Sequence, residues 1–149
     1  MELRQLDMIS LLLSEKLNLQ FSSSRELFGI LYGRLADGIY IVEDIYYCSS
    51  REFKEEVEIS ESCIEVLESL QSLGIPCSLY HTHPEDRYPS YDDILTQKSL
   101  RLAFPSVIQT PNYFVFYSLY PFVYNNQTSR KIKIDGISYY IIVSCKFSL

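Results

Sequence analysis

Apolar residues near the start of the chain recur at three- and four-residue spacing. Leu3, Leu6, Ile9, Leu13 and Leu17 share one stripe, widened by Met8 and Leu12, and that period predicts an amphipathic first helix over roughly residues 3–18. Ser22-Ser23-Ser24 breaks it. Two β-rich runs follow, Leu27 to Arg34 and Gly38 to Cys48, joined through Asp37-Gly38, a strong hairpin signal. Residues 54–59 alternate weakly and suggest another strand. After Ser60, the spacing of Cys63, Ile64, Leu67, Leu70 and Leu73 marks a second helix, which Gly74-Ile75-Pro76 stops. Residues 77–82 read as a short buried strand, and a third helix is expected from near Ser90 to before Pro105. Ser106 to Thr110, Tyr113 to Tyr120 and Ser138 to Phe147 are β-branched and aromatic runs, so the back half is expected to be mostly sheet. The aromatic segment from Tyr113 to Tyr124 reads as core. Strands interrupted by three helices predict an α/β or α+β domain, a mixed central sheet flanked by helices.

The 149 residues, with 47% hydrophobic and 21% charged content, have the composition of one globular domain spanning residues 1–149. A net charge of -6 argues against nucleic acid or an anionic membrane as partner. Residues 8–13 are too short to span a bilayer and lack the flanks of a signal peptide, which predicts a soluble, cytoplasmic protein. Cys48, Cys63, Cys77 and Cys145 contain no Cys-x-x-Cys and are expected to be buried small hydrophobes. Asn126-Gln127-Thr128 is read as turn chemistry.

The candidate chemistry is concentrated in one stretch. The chain has two histidines, and they stand two residues apart in His81-Thr82-His83-Pro84, at the end of an apolar strand. Side chains at i and i+2 of a strand share a face, so both imidazoles can converge on one ion. Ten residues after His83 comes Asp93, the last position of Ser90-Tyr91-Asp92-Asp93, on what should be the first turn of a helix. Ser90-x-x-Asp93 is also the pattern of a helix capping box, and the two roles are compatible. Two neutral imidazoles and a carboxylate leave a fourth tetrahedral position for water, the arrangement of catalytic zinc.

His-x-His-Pro, a short loop and Ser-x-x-Asp, preceded by an acidic residue, resemble the pattern of the JAMM (MPN-type) zinc isopeptidase family. Upstream, Glu26-Leu27-Phe28-Gly29-Ile30-Leu31-Tyr32-Gly33 resembles that family's Glu-x-x-Gly-x-Leu-x-Gly segment, and the likeness extends to about residue 120. The loop between Pro84 and Ser90 holds five residues, one fewer than the common family form, which leaves Asp92 as the alternative to Asp93; Asp93 keeps the helical Ser-x-x-Asp spacing. Glu85-Asp86 within it reads as a solvated loop. The resemblance implies the MPN/JAB (cytidine-deaminase-like) architecture and a Zn2+ ion held by His81, His83 and Asp93. It also implies Glu26 as the general base and Ser90 as donor to the oxyanion.

By the same resemblance the substrate is an amide joining the C-terminus of a ubiquitin-like modifier or sulfur-carrier protein to an amine, as for stand-alone prokaryotic members. A homodimer is a further expected partner arrangement. Two alternatives stand beside it: a metallopeptidase acting on another amide, such as a cell-wall, phage-assembly or aminoacyl adduct, and a non-catalytic scaffold subunit. The zinc-dependent nucleoside deaminases are set aside because they need a Cys-x-x-Cys.

Overall fold

Asp37 and Gly38 both take positive φ, 52° and 76°, which closes a tight turn between two long strands, as their sequence predicts. The computed structural model describes residues 8–22, 24–48 and 61–145. Its elements run β1 (Ile9–Leu13), β2 (Phe28–Ala36), β3 (Ile39–Tyr47), α1 (Glu61–Ser72), β4 (Cys77–Thr82), α2 (Tyr91–Ser99) and β5 (Ser106–Gln109). They continue with β6 (Tyr113–Ser118), β7 (Phe122–Tyr124), β8 (Gln127–Thr128), β9 (Arg130–Ile134) and β10 (Ile137–Cys145). The strands form one sheet in the order β8-β7-β1-β3-β2-β4-β5-β6-β10-β9.

The ends of that order are adjacent in the chain. β8 pairs with β7 and β9 pairs with β10, and only Ser129 separates β8 from β9. Ser129, where the chain passes from one end of the sheet to the other, is fastened to β7: its N–H donates to the Phe122 carbonyl and its Oγ accepts the Phe122 N–H, both at 2.9 Å. The sheet therefore curls into a nearly closed barrel. Phe116 of β6 and Tyr124 of β7, six places apart in the strand order, meet with ring centroids 4.2 Å apart.

Alternation divides the side chains between the barrel's two faces. Leu11, Leu31, Tyr40, Val42, Tyr80, Val107, Phe116, Phe122 and Ile142 fill the interior. Buried tyrosines need partners for their hydroxyls; that of Tyr40 lies 2.9 Å from Ser78 Oγ, and that of Tyr80 donates to the Gln20 carbonyl at 2.6 Å. On the outer face, α1 lays Cys63 and Leu67 on Phe28, Ile30 and Leu79. There α2 lays Ile94 on Ile108, Val115, Tyr117 and Ile141. Gly33 sits at an irregularity in the β2–β3 pairing, where a Cβ would lie 1.8 Å from the Ile41 carbonyl oxygen. Only glycine fits there.

The expected sheet flanked by three helices, the MPN/JAB arrangement, is not what forms. Among the described residues strand accounts for 46% and helix for 17%, with two helices. The first expected helix is the missing one: residues 9–13 are strand β1, and its neighbours β3 and β7 both pair with it in parallel. Ile9, Leu11 and Leu13 face the core while Leu12 is 50% exposed, a period of two in place of 3.6. The suggested strand over 54–59 lies outside the described residues. β7, β8 and β9 are strands not expected between the runs ending at Tyr120 and starting at Ser138; β8 and the start of β9 fall in the polar stretch 125–131. The Asn125-Asn126 pair makes the β7–β8 turn, with φ of 50° and 64°.

The expectation of four unpaired cysteines is also corrected. Cys48 and Cys63 form a disulfide with their Cα atoms 5.6 Å apart, brought together as α1 packs beside the β2–β3 hairpin. Cys145 is exposed, and Cys77 alone is a buried thiol as read, its pKa pushed up to about 11 by burial. No helix among the described residues is long and apolar enough to cross a membrane.

The end of α2 makes a stability test. The Arg101 N–H donates to the Lys98 carbonyl and the Leu102 N–H to that of Gln97, both at 3.1 Å, closing a left-handed cap with Arg101 at φ 54°. A side chain there costs about 1 kcal/mol that glycine avoids. Arg101→Gly is expected to raise the unfolding free energy from urea titration by that amount, read as a higher midpoint at unchanged slope; an unchanged or lower midpoint would mean that the Arg101 side chain makes compensating contacts.

Candidate metal centre

β4 is buried along its whole length and pairs with β2 on one side and β5 on the other. His81 is its penultimate residue and His83 follows its end. The outward alternation that places Leu79 under α1 carries His81 to the outer face, in the gap between the helices. Phe28, opposite His81 in the β2–β4 register, stacks on its ring at a centroid distance of 5.9 Å. Both histidines are buried, at 5% and 3% exposure. Their Nε2 atoms face each other 2.8 Å apart.

Asp93 enters from α2. Ser90 caps this helix: its Oγ accepts the Asp93 N–H at 3.2 Å, and Asp93 Oδ2 accepts the Ser90 N–H at 2.8 Å. The reciprocal cap fixes the carboxylate and leaves Oδ1 aimed at His81 Nε2, 3.4 Å away, with Oδ2 3.9 Å from His83 Nε2. Capping and clustering are thus performed by one side chain. Asp92, the alternative raised by the short loop, is exposed.

One donor atom from each of His81, His83 and Asp93 lies within 4.8 Å of the others. Donors about 2.0–2.1 Å from a tetrahedral metal stand about 3.3 Å from one another. His81 Nε2 stands 2.8 Å from His83 Nε2 and 3.4 Å from Asp93 Oδ1, on either side of that edge, while the other carboxylate oxygen, Oδ2, lies 3.9 Å from His83 Nε2. Protonation states also suit a metal. Burial first, then His81 and Arg87, lower the His83 pKa, favouring a neutral ring. Burial alone would raise Asp93, but hydrogen bonding and charge from His81, the Ser90 N–H and His83 outweigh it and keep it ionised. His81 Nδ1 is buried with no hydrogen-bond partner among the described residues, and stacking on Phe28 orients the ring there, the role that a second-sphere acceptor often plays.

Glu26 lies just before β2 and is drawn to the rim of this cluster. Its Oε1 is 3.9 Å from His83 Nδ1, on the side of the ring away from the facing Nε2 atoms. Burial raises its pKa above 4.5, His81 and Arg87 pull it down, and Asp93 pushes it up, with a net rise. A carboxylate beside the cluster but outside its donor set can accept and return a proton.

All five residues singled out in the sequence therefore meet in one place. Sequence reasoning missed Arg87, in the loop between Pro84 and Ser90, whose Nε donates to His83 Nδ1 and whose Nη2 is 3.7 Å from Glu26 Oε1. A guanidinium only donates, so a neutral His83 held this way carries its proton on Nε2. Arg87 and a metal thus compete for the ring. Nothing in the local sequence marks Arg87, since a basic residue in a polar loop is ordinarily solvated. Asp86 is likewise not just solvated: it accepts the Asn112 N–H at 3.0 Å and Nδ2 at 2.6 Å, tying the loop to the β5–β6 turn.

No family model matches the sequence, and no curated protein matches it. Among solved structures, that of a Desulfitobacterium hafniense protein determined in solution is similar at 22% identity, over 83% of this chain and 76% of that one, with a TM-score of 0.39.

Proposed function

We propose that the protein is a zinc-dependent peptidase of the JAMM type, hydrolysing the amide between the C-terminus of a ubiquitin-like or sulfur-carrier protein and an amine. The observation that carries this reading is the convergence of His81, His83 and Asp93, with Glu26 held beside them and outside the donor set. The reading rests on the site motif and its geometry, not on the barrel. When bound, zinc supplies Lewis-acid polarisation of the scissile carbonyl and acidifies a water toward neutral pH. Glu26 takes the proton of the attacking water and delivers it to the leaving amine. Ser90 Oγ accepts the Asp93 N–H and so keeps its own O–H to donate to the oxyanion. With His83 ligating through Nε2, its proton would sit on Nδ1, so Arg87 would have to give up that contact and could keep the one with Glu26.

The test uses the zinc-loaded protein with ubiquitin-like and sulfur-carrier proteins fused at their C-termini to a reporter amine. Metal-dependent release of the reporter, lost on chelation and restored by zinc, is the expected result. Tight zinc binding with release from short peptide amides alone would turn the reading toward another amide substrate. Absence of zinc binding would leave a scaffold that retains the residues without the chemistry.

A further inference from the structure

Between the two histidines stands Thr82, fully buried. Strand alternation turns its side chain to the face opposite theirs, so it does not belong to the donor cluster. Its hydroxyl instead accepts the N–H of Leu27, the residue after Glu26, at 2.8 Å, and its own N–H donates to the Leu27 carbonyl at 3.0 Å. The β2–β4 ladder ends one step earlier, at Phe28 and His81. Thr82 thus adds one more rung in which a side-chain oxygen serves as the acceptor that strand pairing would draw from the backbone.

That rung is next to Glu26 in the chain. From Leu27 the strand runs on into the core, whereas on the other side residues 24–26 are irregular. Earlier in the segment Gln20 is fastened to the barrel: its N–H donates to the Tyr47 hydroxyl at 2.8 Å and its carbonyl accepts from Tyr80. Without the Thr82 hydroxyl the buried Leu27 N–H would lose its partner, which a native interior avoids. The Glu26 segment would then be held at this rung by the Thr82 N–H alone, which leaves its backbone looser relative to the histidines.

We infer that Thr82 is a positioning residue: through its two bonds to Leu27 it registers the Glu26 carboxylate against His81 and His83. The ligand strand and the proton-transfer residue come from segments 55 residues apart in sequence, and one side chain couples their positions. This inference rests on the peptidase reading for its catalytic consequence but not for the coupling itself.

Thr82→Val keeps the shape and removes the acceptor, while Thr82→Ser keeps the hydroxyl. The Val variant is expected to bind zinc as wild type does, to exchange the Leu27 amide proton at least tenfold faster, and to lose kcat by about ten- to a hundredfold with KM little changed. Misplacing a reacting group by 1 Å can cost about a hundredfold. The Ser variant should restore both exchange and turnover. Unchanged exchange at Leu27 in the Val variant would overturn the coupling, and faster exchange with unchanged kcat would overturn its catalytic role. Loss of zinc in the Val variant would make Thr82 a support of the metal ligands and overturn the assignment to Glu26. A wild-type protein that binds zinc and cleaves nothing defeats the peptidase reading, while the exchange rates still decide whether Thr82 fastens the Glu26 segment.

Discussion

Glu26→Gln is expected to bind zinc like the wild type and to lose about 10²–10⁴-fold in kcat, the usual contribution of a positioned general base. The substitution keeps side-chain length and removes only the basic oxygen. Metal should stay because Glu26 approaches His83 at Nδ1, 3.9 Å away, and not at the Nε2 that faces His81. A second signature lies in the pH profile. The base works only when deprotonated, and burial places its pKa above 4.5 despite the opposing effects of His81 and Arg87. The acid limb of kcat/KM should therefore belong to Glu26, with activity rising as pH increases through it, and the limb should vanish from the residual activity of the Gln variant. Loss of zinc in Glu26→Gln would make Glu26 a ligand. Retained activity would assign the proton transfer to another group.

The second large effect concerns the ligands. His81→Ala and Asp93→Asn are each expected to reduce bound zinc from about one ion per chain to none detectable by metal analysis after dialysis, while Asp92→Asn should leave it unchanged. Asn is chosen at position 93 because its amide oxygen can still accept the Ser90 N–H that Asp93 Oδ2 accepts at 2.8 Å, preserving the helix start while removing the charge. The cap alone contributes about 1 kcal/mol, so Asp93→Ala would mix loss of metal with loss of helix. Zinc retained in Asp93→Asn and lost in Asp92→Asn would reverse the assignment and mean that the short loop rotates α2 by one residue.

The site was far more legible than the fold, for a physical reason. His81, His83, Ser90 and Asp93 are fixed by local rules, strand alternation and helix capping, which spacing alone expresses. Glu26 lies far away in sequence, and only the resemblance of residues 26–33 to the JAMM segment singled it out; of the glycines in that segment, Gly33 has the Ile41 carbonyl against it. Thr82 and Arg87 left no mark because their roles depend on partners brought in from elsewhere. At the start of the chain, Ile9, Leu11, Leu12 and Leu13 satisfy helix and strand periods together. The choice is made by parallel pairing to residues 39–42 and 122–124, which no local window contains. Barrel closure and the Cys48–Cys63 pairing are invisible for the same reason, since strand order and disulfide connectivity are relations between distant segments.

The position of β1 between β3 and β7 sets a timetable for folding during synthesis. At about 5–20 residues per second, roughly ten seconds separate translation of Leu13 from that of Tyr124. Through that interval β1 can pair with β3, yet its other edge has no β7 to meet. The waiting segment is Ile-Ser-Leu-Leu-Leu, uncharged and apolar, the kind of open edge on which nascent chains associate. A polypeptide stopping before Phe122 would keep that edge permanently, so truncations in this region should precipitate from the translation mixture even where His81, His83, Asp93 and Glu26 are all present.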